Sequence, residues 1–179
     1  MFKVGIIGDE ASQDFQTVVD MAVEFNLDSI EVRSVWDKAP QELTDQDIDN
    51  MKQILEGTNV KIIGIASPFY KCDIDNTEER KEHINILKWC IKLAKAFDVN
   101  LIRTFVFWKI DNIEERWGEI VGSYDEPVRI AESEGITLGM ENEYSTNLAT
   151  AKLTERFIGE IDSPSVKAIW DPANEAHAD

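Results

Sequence analysis

Histidine and cysteine are scarce in this chain, with two of each in 179 residues. Cys72 and Cys90 make neither a disulfide framework nor a zinc knuckle, and a reducing, cytoplasmic setting is the default expectation. No apolar run reaches the roughly 18 residues that a membrane span needs. No charged and apolar leader precedes Phe2–Gly8, which itself reads as a first strand. Positive charge is short as well: 18 Lys and Arg stand against 35 Asp and Glu, a formal net charge of -17. A field of that sign repels phosphate backbones and anionic lipid, so neither nucleic acid nor a membrane is expected as a partner. A glycine-rich phosphate turn is also lacking. Gly8-Asp9-Glu10-Ala11 follows the first strand, and its acids would repel the phosphates that a dinucleotide-binding layer holds there.

What is present is alternation, without internal repeats or low-complexity linkers. With 43% hydrophobic and 30% charged residues, the chain has the composition of one globular domain with a sizeable core. Strand-like stretches at residues 2–8, 29–35, 60–66, 101–107, 135–144 and 166–171 alternate with apolar residues at helical spacing. Phe15, Val18, Val19, Ala22 and Val23 form the first helical stripe. Thr44 caps a second, with Ile48, Met51, Ile54 and Leu55, and Gly57 stops it. Thr77 opens a third, with Ile84, Leu87, Ile91 and Ala94. Ile113, Trp117, Ile120 and Val121 mark a fourth, which Pro127 kinks or restarts and Gly135 ends. Thr150 caps the last, through Phe157 and Ile158.

Strands and helices in units of roughly 30 residues predict a parallel sheet. Without the phosphate turn, a barrel is favoured over a doubly wound layer. A closed barrel of this kind needs about eight units and roughly 250 residues. The expected fold class is therefore α/β, a (β/α)8 TIM barrel truncated to about six β/α units. It is read as one domain over residues 1–179, incomplete at the C-terminus, with strands one and six as open edges.

The stretch from Gly135 to Tyr144 organises the site. Leu138 and Met140 share one face, while Thr137, Gly139, Glu141 and Glu143 share the other. Active sites of α/β barrels form at the C-terminal ends of strands. Asp171 ends the next strand on the same parity as Glu141. Two carboxylates brought close repel unless a proton or a cation sits between them, and oxygen donors suit hard divalent ions. Asp9, Glu31, Arg33 and Arg103 put charge on the inward faces of other strands, where charges must pair. Glu31 with Arg103 or Arg33 is one such pair, read equally as a structural bridge or a substrate contact. Trp36, Tyr70 and Trp108 follow strands two, three and four, placed to stack on the apolar face of a ligand or simply to pack. Lys71 and Arg103 are candidates for ligand oxygens, or for neutralising nearby acids. His83 is read as solvated on its helix, Cys90 as core, and His177 as part of a disordered final loop or a substitute ligand.

The run Gly135-Ile-Thr-Leu-Gly-Met-Glu-Asn142, the Thr150-capped helix and Ala168-Ile-Trp-Asp-Pro-Ala-Asn174 resemble strands five and six of the xylose isomerase-like TIM barrels. These are the sugar (phosphate) isomerase/epimerase proteins. Ser29-Ile-Glu-Val-Arg33 and Ile63-Gly-Ile-Ala-Ser-Pro68 resemble that family's second and third strands. The resemblance implies a divalent metal (manganese, magnesium, cobalt or zinc) held by Glu, Asp, His and Glu at the ends of strands five to eight. Glu141 and Asp171 match the first two; the His and the last Glu would lie beyond residue 179. It also implies that Glu141 moves protons next to a carbonyl. Lys71, Arg103, Trp108, Asn142 and Asn174 are the candidates to bind a small-molecule sugar or sugar phosphate. Some members carry a His where Asn174 stands. A homo-oligomer is compatible with the reading. The alternatives are a dehydratase or lyase of the same superfamily, and a non-catalytic sugar-binding or structural fragment. The DNA-acting relatives fit poorly with the charge and the few histidines.

Overall fold

The computed structural model describes residues 2–178. Its six strands are β1 (Gly5–Ile7), β2 (Ser29–Val32), β3 (Lys61–Ala66), β4 (Leu101–Thr104), β5 (Thr137–Glu141) and β6 (Val166–Ile169). They form one sheet in the order β1-β2-β3-β4-β5-β6, and the pairs β1–β2, β2–β3 and β5–β6 are parallel. Between them run α1 (Phe15–Glu24), α2 (Asp45–Leu55), α3 (Thr77–Ala96), α4 (Ile113–Gly122), α5 (Asp125–Glu134) and α6 (Ala151–Ile161), with α7 (Pro172–His177) after β6. This is the α/β alternation expected of a barrel truncated to six units, and β1 and β6 stand at the ends of the sheet.

The helices begin and end for local reasons. The Thr44 hydroxyl accepts from Asp47 N while the Asp47 carboxylate accepts from Thr44 N, a reciprocal cap that satisfies two orphan donors. Thr150 accepts from Leu153 N to start α6. Helix α5 starts at Asp125, two residues before Pro127, so the proline sits in a first turn where its missing N–H costs nothing. Gly135 ends that helix at φ 69°, a conformation glycine adopts without steric penalty. Gly5 faces Ser29 across the sheet, and a Cβ there would lie 2.6 Å from the Ser29 hydroxyl.

Three expectations change. β1 is only Gly5–Ile7: it ends there because Gly8–Glu10 turns into a 3-10 helix, and Phe2, ahead of it, is 96% exposed. β6 stops at Ile169, and Asp171 becomes the N-cap of α7, so the final segment is helical and not a disordered loop. His177 closes that helix, its Nδ1 2.7 Å from Ala173 O.

Two compact units can be distinguished: Met1–Ser67 with Trp89–Leu101, and Pro68–Lys88 with Ile102–Asp179. In the first, α1 buries Phe15, Val18, Val19 and Ala22, and α2 buries Ile48 and Met51. There Trp89 Nε1 donates to Pro40 O. The second is built on an aromatic chain. Tyr70 stacks on Phe69 and Phe107 at 4.0 and 4.5 Å between ring centroids, and Tyr124 meets Tyr70 and Phe157 edge-on at 5.3 and 5.0 Å. The Tyr124 hydroxyl donates to the Phe105 carbonyl. Each such ring buries enough apolar surface to contribute roughly 2–3 kcal/mol.

Candidate active site

The second unit carries the residues singled out at the ends of β4, β5 and β6. Glu141, the last residue of β5, is 6% exposed. Its Oε2 lies 2.9 Å from Arg103 Nη1, yet this buried oxygen accepts no hydrogen bond. Oε1 takes a 3.3 Å bond from Asn174 Nδ2. Burial lifts the Glu141 carboxyl above its usual range; Arg103 draws it down, and Asp171 and Glu143 push it further up. The charge of Asp171 thus reaches Glu141, although Asp171 lies beyond the end of β6 and caps α7. The β5–β6 register sets Glu141 beside Ile169, so Asp171 sits two residues further along its strand direction than Glu141. Its Oδ1 accepts from Ala173 N and Asn174 N at 2.7 and 2.9 Å.

Asn142 joins the two strand ends. Its Oδ1 accepts from Asp171 N at 2.7 Å, and its Nδ2 donates to Asp171 O at 2.8 Å and to Glu175 Oε2 at 3.3 Å. The amide expected to meet substrate is therefore committed to the frame that spaces Glu141 from Asp171. Arg33, for its part, is engaged by Asp9 and Glu10.

Lys71 and Trp108 lie on the loops after β3 and β4. Lys71 Nζ is 2.9 Å from Glu143 Oε2, 4.3 Å from the Phe105 ring and 5.9 Å from the Trp108 ring. Arg103 stands over the same Phe105 ring at 5.2 Å. Trp108 is 42% exposed, whereas Tyr70, the aromatic after β3, is buried and packs. Burial acts to raise the Glu143 carboxyl, but the Lys71 hydrogen bond and charge outweigh it and hold the carboxyl below its usual range.

Backbone bonds lace these loops together. Phe105 N, Phe107 N and Trp108 N donate to Phe69 O, Tyr70 O and Cys72 O, and Lys109 N donates to Ser145 O. The Asn147 amide donates to Val106 O and Trp108 O and accepts from Ile110 N. Sequence reasoning missed Asn147, since nothing local marks a loop asparagine as a brace. It also misread His83. That imidazole is buried, its Nδ1 accepting from Tyr70 N at 2.8 Å, and burial lowers its pKa against the pull of Glu79 and Glu82. It anchors the residue before Lys71. Burial likewise pushes the Cys72 and Cys90 thiols up to about 12, which leaves them inert as nucleophiles.

A family model for the xylose isomerase-like TIM barrel matches residues 19–179. The chain belongs to that family. No curated protein matches it. Among solved structures, this xylose isomerase-like chain is similar to the probable 3-DHS dehydratase AsbF of Bacillus anthracis, at 20% identity and TM-score 0.78, over 99% of this chain and 65% of that one. It is similar to the 3-keto-D-glucoside 4-epimerase YcjR of E. coli, at 15% identity and TM-score 0.77, over 98% and 70%. It is also similar to an IolI protein with a bound zinc atom, at 17% identity and TM-score 0.82, over 99% and 65%. At these identities the likeness speaks for the fold. The chain spans 65% of the length of the first of these.

The zinc in that IolI structure raises the question of fit. Glu141 and Asp171 are oxygen donors of the right kind, and the buried Oε2 of Glu141 has no hydrogen bond to give up. Among the described residues, no three His, Cys, Asp or Glu side chains are grouped to hold an ion.

Proposed function

We propose that this chain carries the acid/base centre of a sugar or sugar-phosphate isomerase or epimerase that works by proton transfer next to a carbonyl. One observation carries the reading. A buried carboxylate with a raised pKa, Glu141, stands at the C-terminal end of a barrel strand, coupled to Asp171 and held from two sides by Arg103 and Asn174. A buried carboxylate at a strand end is placed to take up a proton as a general base. A divalent metal bound by Glu141 and Asp171 would supply Lewis acidity towards the carbonyl oxygen. The Arg103 guanidinium steadies charge at Glu141 and, with Lys71, faces the oxygens of the substrate. Trp108 offers its open ring face to the carbon skeleton, and Asn174 orients the base. Asn142 keeps the two acids at a fixed spacing.

The test is deuterium wash-in. The full chain with manganese is incubated in heavy water with a panel of ketoses and ketose phosphates, and label at the carbon beside the carbonyl is read by NMR. Exchange is expected with at least one compound and should fall by roughly 100-fold or more in Glu141→Gln. Exchange no faster than buffer across the panel would overturn the reading.

A second reading, loss of water after the same proton abstraction, is favoured by the likeness to a dehydratase. It predicts an absorbing enone product in the same incubations. A third, a sugar-binding fragment without catalysis, is favoured by the absence of a third grouped ligand among the described residues. It predicts sugar binding without exchange.

A further inference from the structure

We infer that Lys71 and Glu143 form a paired donor and acceptor that reads hydroxyl groups, and that the substrate of this site is uncharged and not a phosphate ester. The inference rests on the proposed acid/base centre and names its substrate class.

An ammonium carries three N–H donors. Lys71 Nζ gives one to Glu143 Oε2 and presents a cationic flank to the Phe105 ring. It makes no further hydrogen bond among the described residues. The Glu143 carboxylate has four lone-pair positions. Besides Lys71 it accepts from Ser145, whose backbone N lies 3.4 Å from Oε1 and whose side chain also bonds to it. A spare N–H and a spare carboxylate lone pair thus lie side by side, next to the exposed Trp108 ring. A sugar hydroxyl both donates and accepts and matches such a pair; its C–H face matches the indole.

Charge then separates the two candidate classes. Phosphate needs cations whose charge is not already matched. Both cations of this cluster face carboxylates: Lys71 at 2.9 Å from Glu143 and Arg103 at 2.9 Å from Glu141. Asp171 and Glu175 add two further acids, and neither has a salt-bridge partner among the described residues. The whole chain is at -17. A phosphate dianion entering here would have to displace Glu143 from Lys71 and face the remaining acids. A neutral polyol displaces nothing.

The loop geometry makes the pair a fixed feature. Glu143 N donates to Leu148 O, and Glu143 O accepts from Thr146 N and the Thr146 hydroxyl. Thr146 in turn bridges to Trp108. Glu143 is a specificity residue because it cancels the Lys71 charge from 2.9 Å away.

The experiment titrates the full chain with D-fructose and with D-fructose 6-phosphate by calorimetry, in parallel for the natural chain, Glu143→Gln and Lys71→Met. The natural chain should bind fructose more tightly than its phosphate. Glu143→Gln removes a charge without removing volume, frees Lys71, and should move the preference towards the phosphate ester by roughly tenfold, the scale of one charge contact near a surface. Lys71→Met should weaken both ligands, and circular dichroism checks that each variant folds. Because the readout is a ratio, a loss of folded protein cannot mimic the shift. Tighter phosphate binding by the natural chain, an unchanged ratio in Glu143→Gln, or no binding of either compound would each overturn the inference. Deuterium wash-in that persists through such a result would leave the acid/base proposal standing, whereas hydroxyl reading without wash-in would sink that proposal alone.

Discussion

At the scale of single residues, His83 sets the most direct test of local electrostatics. Its folded pKa lies below the unfolded value of about 6.5 because burial disfavours the imidazolium. The unfolded chain therefore binds the extra proton first, and stability is fully present above that pH and is lost as pH falls below it. Protonation also puts a hydrogen on Nδ1, where Tyr70 N now donates. The thermal midpoint should fall as pH drops from about 7 towards 5.5, and His83→Gln, which keeps an acceptor but does not titrate there, should flatten the slope. A slope that survives the substitution assigns it elsewhere. Sequence alone made His83 a solvated helix residue, since it stands among Lys81, Glu82 and Glu79. Its burial comes from a loop 13 residues away, which no helical period registers. Glu141 was legible for the opposite reason: strand parity and position at a C-terminal end are both local.

At the scale of elements, the β6–α7 junction gives Asp171 two separable roles. As N-cap it accepts from Ala173 N and Asn174 N. As the acid beside Glu141 it supplies charge. Asn caps about as well as Asp, so Asp171→Asn should leave the thermal midpoint nearly unchanged while weakening manganese binding. Asp171→Ala should lose both, at a cost of about 1 kcal/mol of cap, read by urea unfolding beside metal titration. Equal effects of the two substitutions would remove the charge from the argument. Thr150→Ala is the control, with about 1 kcal/mol lost at α6 and no change in metal affinity. Most elements follow from sequence, because caps such as Thr44 and Thr150 and the stop at Gly135 act within one turn. The short β1 and the helix after Asp171 do not, since each depends on where neighbouring strands stop pairing.

At the scale of the whole molecule, the excess of 17 negative charges outweighs the surface ion pairs. Pairs such as Arg116–Asp75 and Arg156–Glu114 are exposed and contribute little each. Screening should weaken them but relieve the general repulsion more. The thermal midpoint is therefore expected to rise between low salt and roughly 0.5 M sodium chloride, and a fall would mean that paired charges dominate. The sheet ends at β6, beside an apolar hollow of about 430 Å³ lined by Ile158, Ala168, Ile169 and Trp170. Trp170 is 64% exposed. The strand count and the open edges could be read from a tally of β/α units, but this hollow could not, because it arises from α6 and β6 meeting side by side.

The backbone bonds that run from Phe105, Phe107 and Trp108 to the Phe69–Cys72 loop bear on timing. A rim stitched in this way has already surrendered its freedom during folding, so a ligand does not have to freeze it again. Capture should then be a single bimolecular step, its rate rising linearly with sugar concentration and free of any slow closing phase in stopped flow.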